Sequence, residues 1–228
     1  TCPRLEEDGP VTLHRARNPE LVLNGQNVVA NDIAWSPETR VVIICGPNTG
    51  GKTVTLKTVG LMALMARAGL FVPAEAESAI RFFPEIYADI GDDQNIQLNL
   101  STFSGHLKKI VHILDQASTG ALILLDELGI ATDPQEGAAL AESILLEMKH
   151  RGFTTLVSTH YLSLKTLAQT QEGFLNACTE FNLDTLSPTY KLVFGVPGDS
   201  AALETAERLG LPSSTLERAR DLYRQKDN

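Results

Sequence analysis

The sequence predicts an α/β protein with a mainly parallel sheet flanked by helices, and three observations carry that prediction. Short apolar, often β-branched runs recur at 41–45 ("VVIIC"), 121–127 ("ALILLDE") and 153–160 ("FTTLVSTH"). They are continuous rather than alternating, as strands buried on both faces require, and segments of helical spacing lie between them. The first run leads directly into "GPNTGGKT", a glycine-rich turn between a strand and a helix.

After the strand at 41–45, "KTVTLKTVGLMALMARAG" (52–69) has helical spacing, with Gly69 placed as its C-terminal stop. "EIYADI" (85–90) is read as a strand, and "LKKIVHILDQA" (107–117) as a helix. A helix follows the strand at 121–127, with Pro134 in its first turn and Gly152 beyond its end. In the tail, "FLNACTEFNL" and "TYKLVFGV" are expected to pair antiparallel across a turn at Ser187-Pro188. Two closing helices follow, with Ser200 and Ser213 or Ser214 as N-caps. No repeat or low-complexity tract interrupts the chain, so one domain over 1–228 is expected.

The 228 residues are 43% hydrophobic, enough for one substantial core. A formal net charge of -9 argues against nucleic acid as the main ligand of this chain by itself, because phosphodiester backbones are held by basic faces. Cys2, Cys45 and Cys178 match neither a disulfide framework nor a zinc site and are expected as reduced thiols of a cytoplasmic protein. No apolar stretch approaches membrane-span length and no signal peptide opens the chain. It begins with Thr1 rather than Met, which suggests a fragment of something longer.

Gly46, Pro47, Asn48, Thr49, Gly50, Gly51, Lys52 and Thr53 fit the phosphate-loop pattern of Gly, four residues, then Gly-Lys-Ser/Thr. Glycines let successive N–H groups turn toward phosphate oxygens, and the following helix N-terminus adds positive potential. Lys52 is expected at the β- and γ-phosphates, with Thr53 as a ligand to Mg²⁺. Asp126, ending an apolar strand, is the second metal ligand, and Glu127 the group that activates the attacking water. An apolar strand ending in Asp-Glu is a weak signal alone and gains its meaning from the phosphate loop upstream. His160, at the end of the next strand, is assigned to sensing the γ-phosphate. Gln94, in "IGDDQN", is assigned to Mg²⁺ or the water; a plain polar loop residue is the alternative.

In this order, "GPNTGGKT", "STFSGH", "LLDELGIATDP" and "STHYLSL" resemble the ATPase domain of the MutS family, which belongs to the ABC-type ATPases. The similarity runs from "NPELVLNGQNVVAND" to "AERLGLP", and "GGKTVTLKTVG", "AGLFVPA" and "ELGIATDPQEGAALA" are closer to the second bacterial branch, which lacks the mismatch-reading domain. The resemblance implies Mg²⁺-dependent ATP hydrolysis in a composite site of a homodimer. It also implies a link to branched DNA and suppression of recombination, and in some members action on collided ribosomes, through regions outside this chain. Ser101, Thr102 and Ser104 would then form a signature that closes on the γ-phosphate held by the opposite subunit; the alternative is that Ser101 or Thr102 caps the helix that follows. Val28 and Asn31 fall where the family contacts the base. Mismatch-repair relatives carry a stacking aromatic at the position of Val28, so that face is expected to be missing here. The usual Gly-x-Gly-Thr appears as Gly129-Ile130-Ala131-Thr132, with Asp133 retained. Two other readings stay open: a small-molecule kinase, for which no Arg-rich lid is evident, and a nucleotide-gated interaction module with little turnover, in which Glu127 would have no use.

Overall fold

A computed structural model of the chain describes residues 1–91, 99–129, 132–196 and 202–226, with backbone only at 48, 99–102, 202 and 224–226. Gln94, Ile130, Ala131 and Ser200 lie outside the described residues. In chain order the elements are Arg4–Glu6 (β1), Val11–Ala16 (β2), Pro19–Leu23 (α1), Asn31–Trp35 (β3), Val41–Cys45 (β4), Lys52–Arg67 (α2), Ala79–Arg81 (β5) and Ile86–Asp89 (β6). Asn99–Gln116 (α3), Leu122–Leu125 (β7), Pro134–His150 (α4), Thr154–Ser158 (β8), Leu162–Thr170 (α5), Phe174–Asn182 (β9), Ser187–Phe194 (β10), Ala202–Arg208 (α6) and Ser213–Lys226 (α7) follow.

The main sheet has the order β10-β9-β4-β8-β7-β6 and is parallel except at its β9–β10 edge. Its central strands are buried on both faces, which is why they read as unbroken apolar runs. Side chains alternate between two cores. Val42, Ile44, Leu122 and Leu124 pack under α2 and a second sheet, while Val41, Ile43, Ile123 and Leu125 pack with residues of α3, α4 and α5. That second sheet, β1-β5-β2-β3, is built mostly from the first 35 residues, where the sequence pattern predicts no element. Its strands are short, and Arg15 in β2 bends at φ +47.

Three local expectations are corrected. Helix α3 begins at Asn99, well before 107, so Ser101 and Thr102 lie inside its first turn and neither is its cap. Ser187 and Pro188 do not form the hairpin turn: they belong to β10 and pair with Asn182 and Phe181. Proline is tolerated there because β10 is an edge strand. The turn falls at 183–186, where the Asn182 side chain accepts from the N–H groups of Asp184 and Thr185. At the start of α7 the Pro212 carbonyl accepts from Thr215 and Leu216, which puts Ser213 and Ser214 within the first turn.

Candidate functional site

The loop between β4 and α2 is shaped by one side chain from the neighbouring strand. A Cβ on Gly46 would lie 2.1 Å from Thr179 Oγ1, and one on Gly50 would lie 2.3 Å from the same atom. Thr179 of β9 occupies the space, so both positions must be glycine. Gly46 also has φ +125 and Gly51 φ +92, conformations that side chains resist. Pro47 and Thr49 line the turn, Gly50 N–H donates to the Pro47 carbonyl at 2.9 Å, and Asn48–Gly50 form a short 3₁₀ turn. Lys52 is buried and its ammonium donates to the Gly46 carbonyl at 2.7 Å. Burial pushes the Lys52 pKa down, and the nearby Glu127 and Asp126 carboxylates pull it back up.

The carboxylates at the end of β7 converge on this loop. Thr53 Oγ1 donates to Asp126 Oδ2 at 2.6 Å, joining the start of α2 to the end of β7. Ser158, fully buried at the end of β8, donates from its hydroxyl to Asp126 Oδ1 and accepts the Glu127 N–H at 2.8 Å. Glu127 has φ +54, a left-handed conformation costly for a non-glycine residue, and the Ser158 contact holds it there. Its Oε1 lies 3.1 Å from His160 Nε2. Thus Lys52, Thr53, Asp126, Glu127 and His160 are brought together. Asp133 is used otherwise: its carboxylate caps α4 by accepting from Gln135 and Glu136. The Tyr161 hydroxyl fixes the Gly129 carbonyl at 2.6 Å. Ser104 is exposed on α3; for Ser101 and Thr102 the helical backbone alone is described.

Beside the loop is a cavity of about 380 Å³, walled by residues including Asn18, Val28, Gly51, Val54 and Tyr190. Val28 thus lines the cavity. Asn31 also reaches it, but its amide is engaged at both ends: Nδ2 donates to the Tyr190 carbonyl at 2.9 Å and Oδ1 accepts the Leu192 N–H at 2.8 Å. Asn31 thus clasps β10 to β3. An aromatic ring does line the cavity from β10, that of Tyr190, half exposed and at φ +58. Ser158, Thr179 and Tyr190 carry no motif that singles them out in the sequence. "STH" offered a weak cue for Ser158; nothing local marks Thr179 or Tyr190, whose roles come from strand pairing.

Residues 42–226 match the family model described as MutS domain V. The chain belongs to the MutS family. Over 225 residues, 99% of its length, it is 48% identical to "Endonuclease MutS2" of Pediococcus pentosaceus and 50% identical to the protein of the same name from Levilactobacillus brevis. A third relative so named, from Bacillus velezensis, is 50% identical over 220 residues. The chain covers 28% of the length of each of these relatives. It is accordingly a MutS-type ATPase domain, domain V of the family, with the mixed α/β architecture expected. Among the described residues no helix is long and apolar enough to cross a membrane.

Proposed function

We propose that this chain binds ATP with Mg²⁺ and hydrolyses it. The observation that carries the proposal is the convergence of the phosphate loop with the Thr53–Asp126–Glu127–His160 chain at one end of the sheet. Thr53 and Asp126 offer a hydroxyl and a carboxylate, a hard oxygen set suited to Mg²⁺, which keeps waters and phosphate oxygens as its other ligands. When bound, the ion supplies positive charge to the β- and γ-phosphate oxygens. Lys52 leaves the Gly46 carbonyl for those oxygens. Glu127 accepts a proton from the attacking water while His160, hydrogen-bonded to it, fixes the orientation of its carboxylate. Gln94 contributes to the metal or the water. The base occupies the cavity, against Val28 and Tyr190.

Two such chains close face to face in a homodimer, each presenting Ser101, Thr102 and Ser104 at the start of α3 to the γ-phosphate on the other. The curated relatives support the second bacterial branch. Closure would drive parts of the protein outside this chain on branched DNA or a ribosome, in the cytoplasm. With a net charge of -9, the chain itself is a poor nucleic-acid surface. Glu127→Gln tests the chemistry. ATP affinity should stay near that of the parent while phosphate release falls about 10²-fold or more, the range for lost general-base assistance. Undiminished release would remove Glu127 from the mechanism.

A further inference from the structure

Asp89 ends β6 with its side chain 4% exposed, and no step above uses it. A carboxylate that deep persists only if its oxygens are satisfied by charged or hydrogen-bonding partners. Both partners come from α3: His106 Nδ1 lies 2.5 Å from Oδ2, and Lys109 Nζ donates to Oδ1 at 2.8 Å. The backbone of the same residue faces the other way, and its carbonyl accepts the Asp126 N–H at 2.9 Å. One residue therefore touches, on one side, the helix that begins with the Ser101–Ser104 stretch and, on the other, the strand end that carries Asp126 and Glu127.

The described core anchors of α3, Ile110 and Ile113, lie in its second half, with Leu107 packed beside them. His106 and Lys109, in the middle of the helix beside those anchors, add two polar ties, and both reach Asp89. We infer that Asp89 is a positioning residue that, through the middle of α3, locks this helix in register with the Asp126–Glu127 strand end. A shift of the acidic pair on nucleotide binding is then passed to the surface offered across the dimer, and the reverse. The inference rests on the function proposed above but concerns a coupling that the phosphate loop does not supply.

Asp89→Asn keeps the shape of the side chain and removes the charge shared by His106 and Lys109. ATP affinity, set by the phosphate loop and the base cavity, should stay within about threefold of the parent, while kcat falls about tenfold or more, as small misplacements of catalytic groups do. Amide hydrogen exchange separates this from general damage: residues 103–110 of α3 should exchange about tenfold faster or more, with β4 and β8 unchanged, as for a local opening. Unaltered exchange in α3, or equal acceleration across β4 and β8, would overturn the assignment. If Asp89→Asn does not fold, Lys109→Gln replaces it, since Lys109 is half exposed. A rise of about threefold in α3 exchange is then expected, and no rise overturns the assignment. A parent chain without ATP turnover would refute the function proposed above, whereas the exchange arms would still decide the role of Asp89.

Discussion

Ser158→Ala removes a single hydroxyl and tests how the acidic pair is held. The hydroxyl has two partners, the Asp126 carboxylate and the Glu127 N–H. A bond to a charged acceptor contributes about 1.5–3 kcal/mol and a neutral one about 1 kcal/mol. Asp126 and Glu127 are only half buried and Asp126 keeps its bond from Thr53, so water recovers part of that sum. A net loss of about 2 kcal/mol is expected, worth about 4–8 °C in Tm for a chain of this size. The functional effect should be larger than the stability effect. Glu127 sits at φ +54, a conformation costing about 1–3 kcal/mol to maintain, and Ser158 is its restraint. Released, the side chain samples orientations in which it misses the water, and phosphate release should fall about tenfold or more. ATP affinity, which depends on Lys52 and the loop glycines, should change little. The measurements are thermal unfolding, calorimetric ATP binding and phosphate release on one preparation. A Tm within 1 °C or so of the parent, together with parental turnover, would show that the hydroxyl restrains nothing.

Three further outcomes follow from the same geometry. Tyr190→Ala should weaken ATP binding by about 1–3 kcal/mol, the contribution of one stacked base, and leave tripolyphosphate binding unchanged; equal losses for both ligands in calorimetry would place the ring elsewhere. Gly50→Ala, at a position without positive φ, meets Thr179 Oγ1 at 2.3 Å, so ATP affinity should drop about tenfold or more and recover in large part when Thr179→Ala is added; no recovery would mean the loop fails for another reason. Burial pushes the Cys45 thiol from its ordinary value near 9 up to about 11. In that window the folded chain keeps a proton that the unfolded chain has lost, so stability should fall as pH rises from about 9 to about 11, by about 2 kcal/mol, and Cys45→Val should flatten that part of a urea-unfolding series.

The sequence made legible whatever is encoded locally. The runs at 41–45 and 121–127 are apolar throughout because β4 and β7 are covered on both faces, and helix α2 carries its own stop at Gly69, which has φ +73. The phosphate loop and the Asp126–Glu127 pair could be read for the same reason: their chemistry needs particular residue types at fixed spacing. Pairings that depend on another segment could not be read. The strands of the second sheet are three to six residues long and carry weak alternation. The edge position that lets Pro188 sit in a strand is a property of the sheet order, not of the dipeptide. Thr179 looks like any strand threonine until β9 lies beside the loop. Helix α3 starts before 107 because the stretch from Asn99, polar in composition, is also helical, and the apolar period used to find the helix begins only at Leu107.

The Asn31 clasp gives the cavity beside the loop a property that neither wall has alone. One wall comes from the first third of the chain and the other from β10, so the partners of the Asn31–Leu192 bond are separated by 161 residues. A nucleotide seated there, as proposed above, would act as a reversible crosslink between the two walls. Because both walls line the cavity, a ligand that needs both would add its binding energy against separating them, about 2.7 kcal/mol at a hundred times its dissociation constant. With the base seated as proposed, nucleotide occupancy would lengthen the attachment of the tail strands, and a protease that samples their detachment would be slowed in proportion to the ATP present.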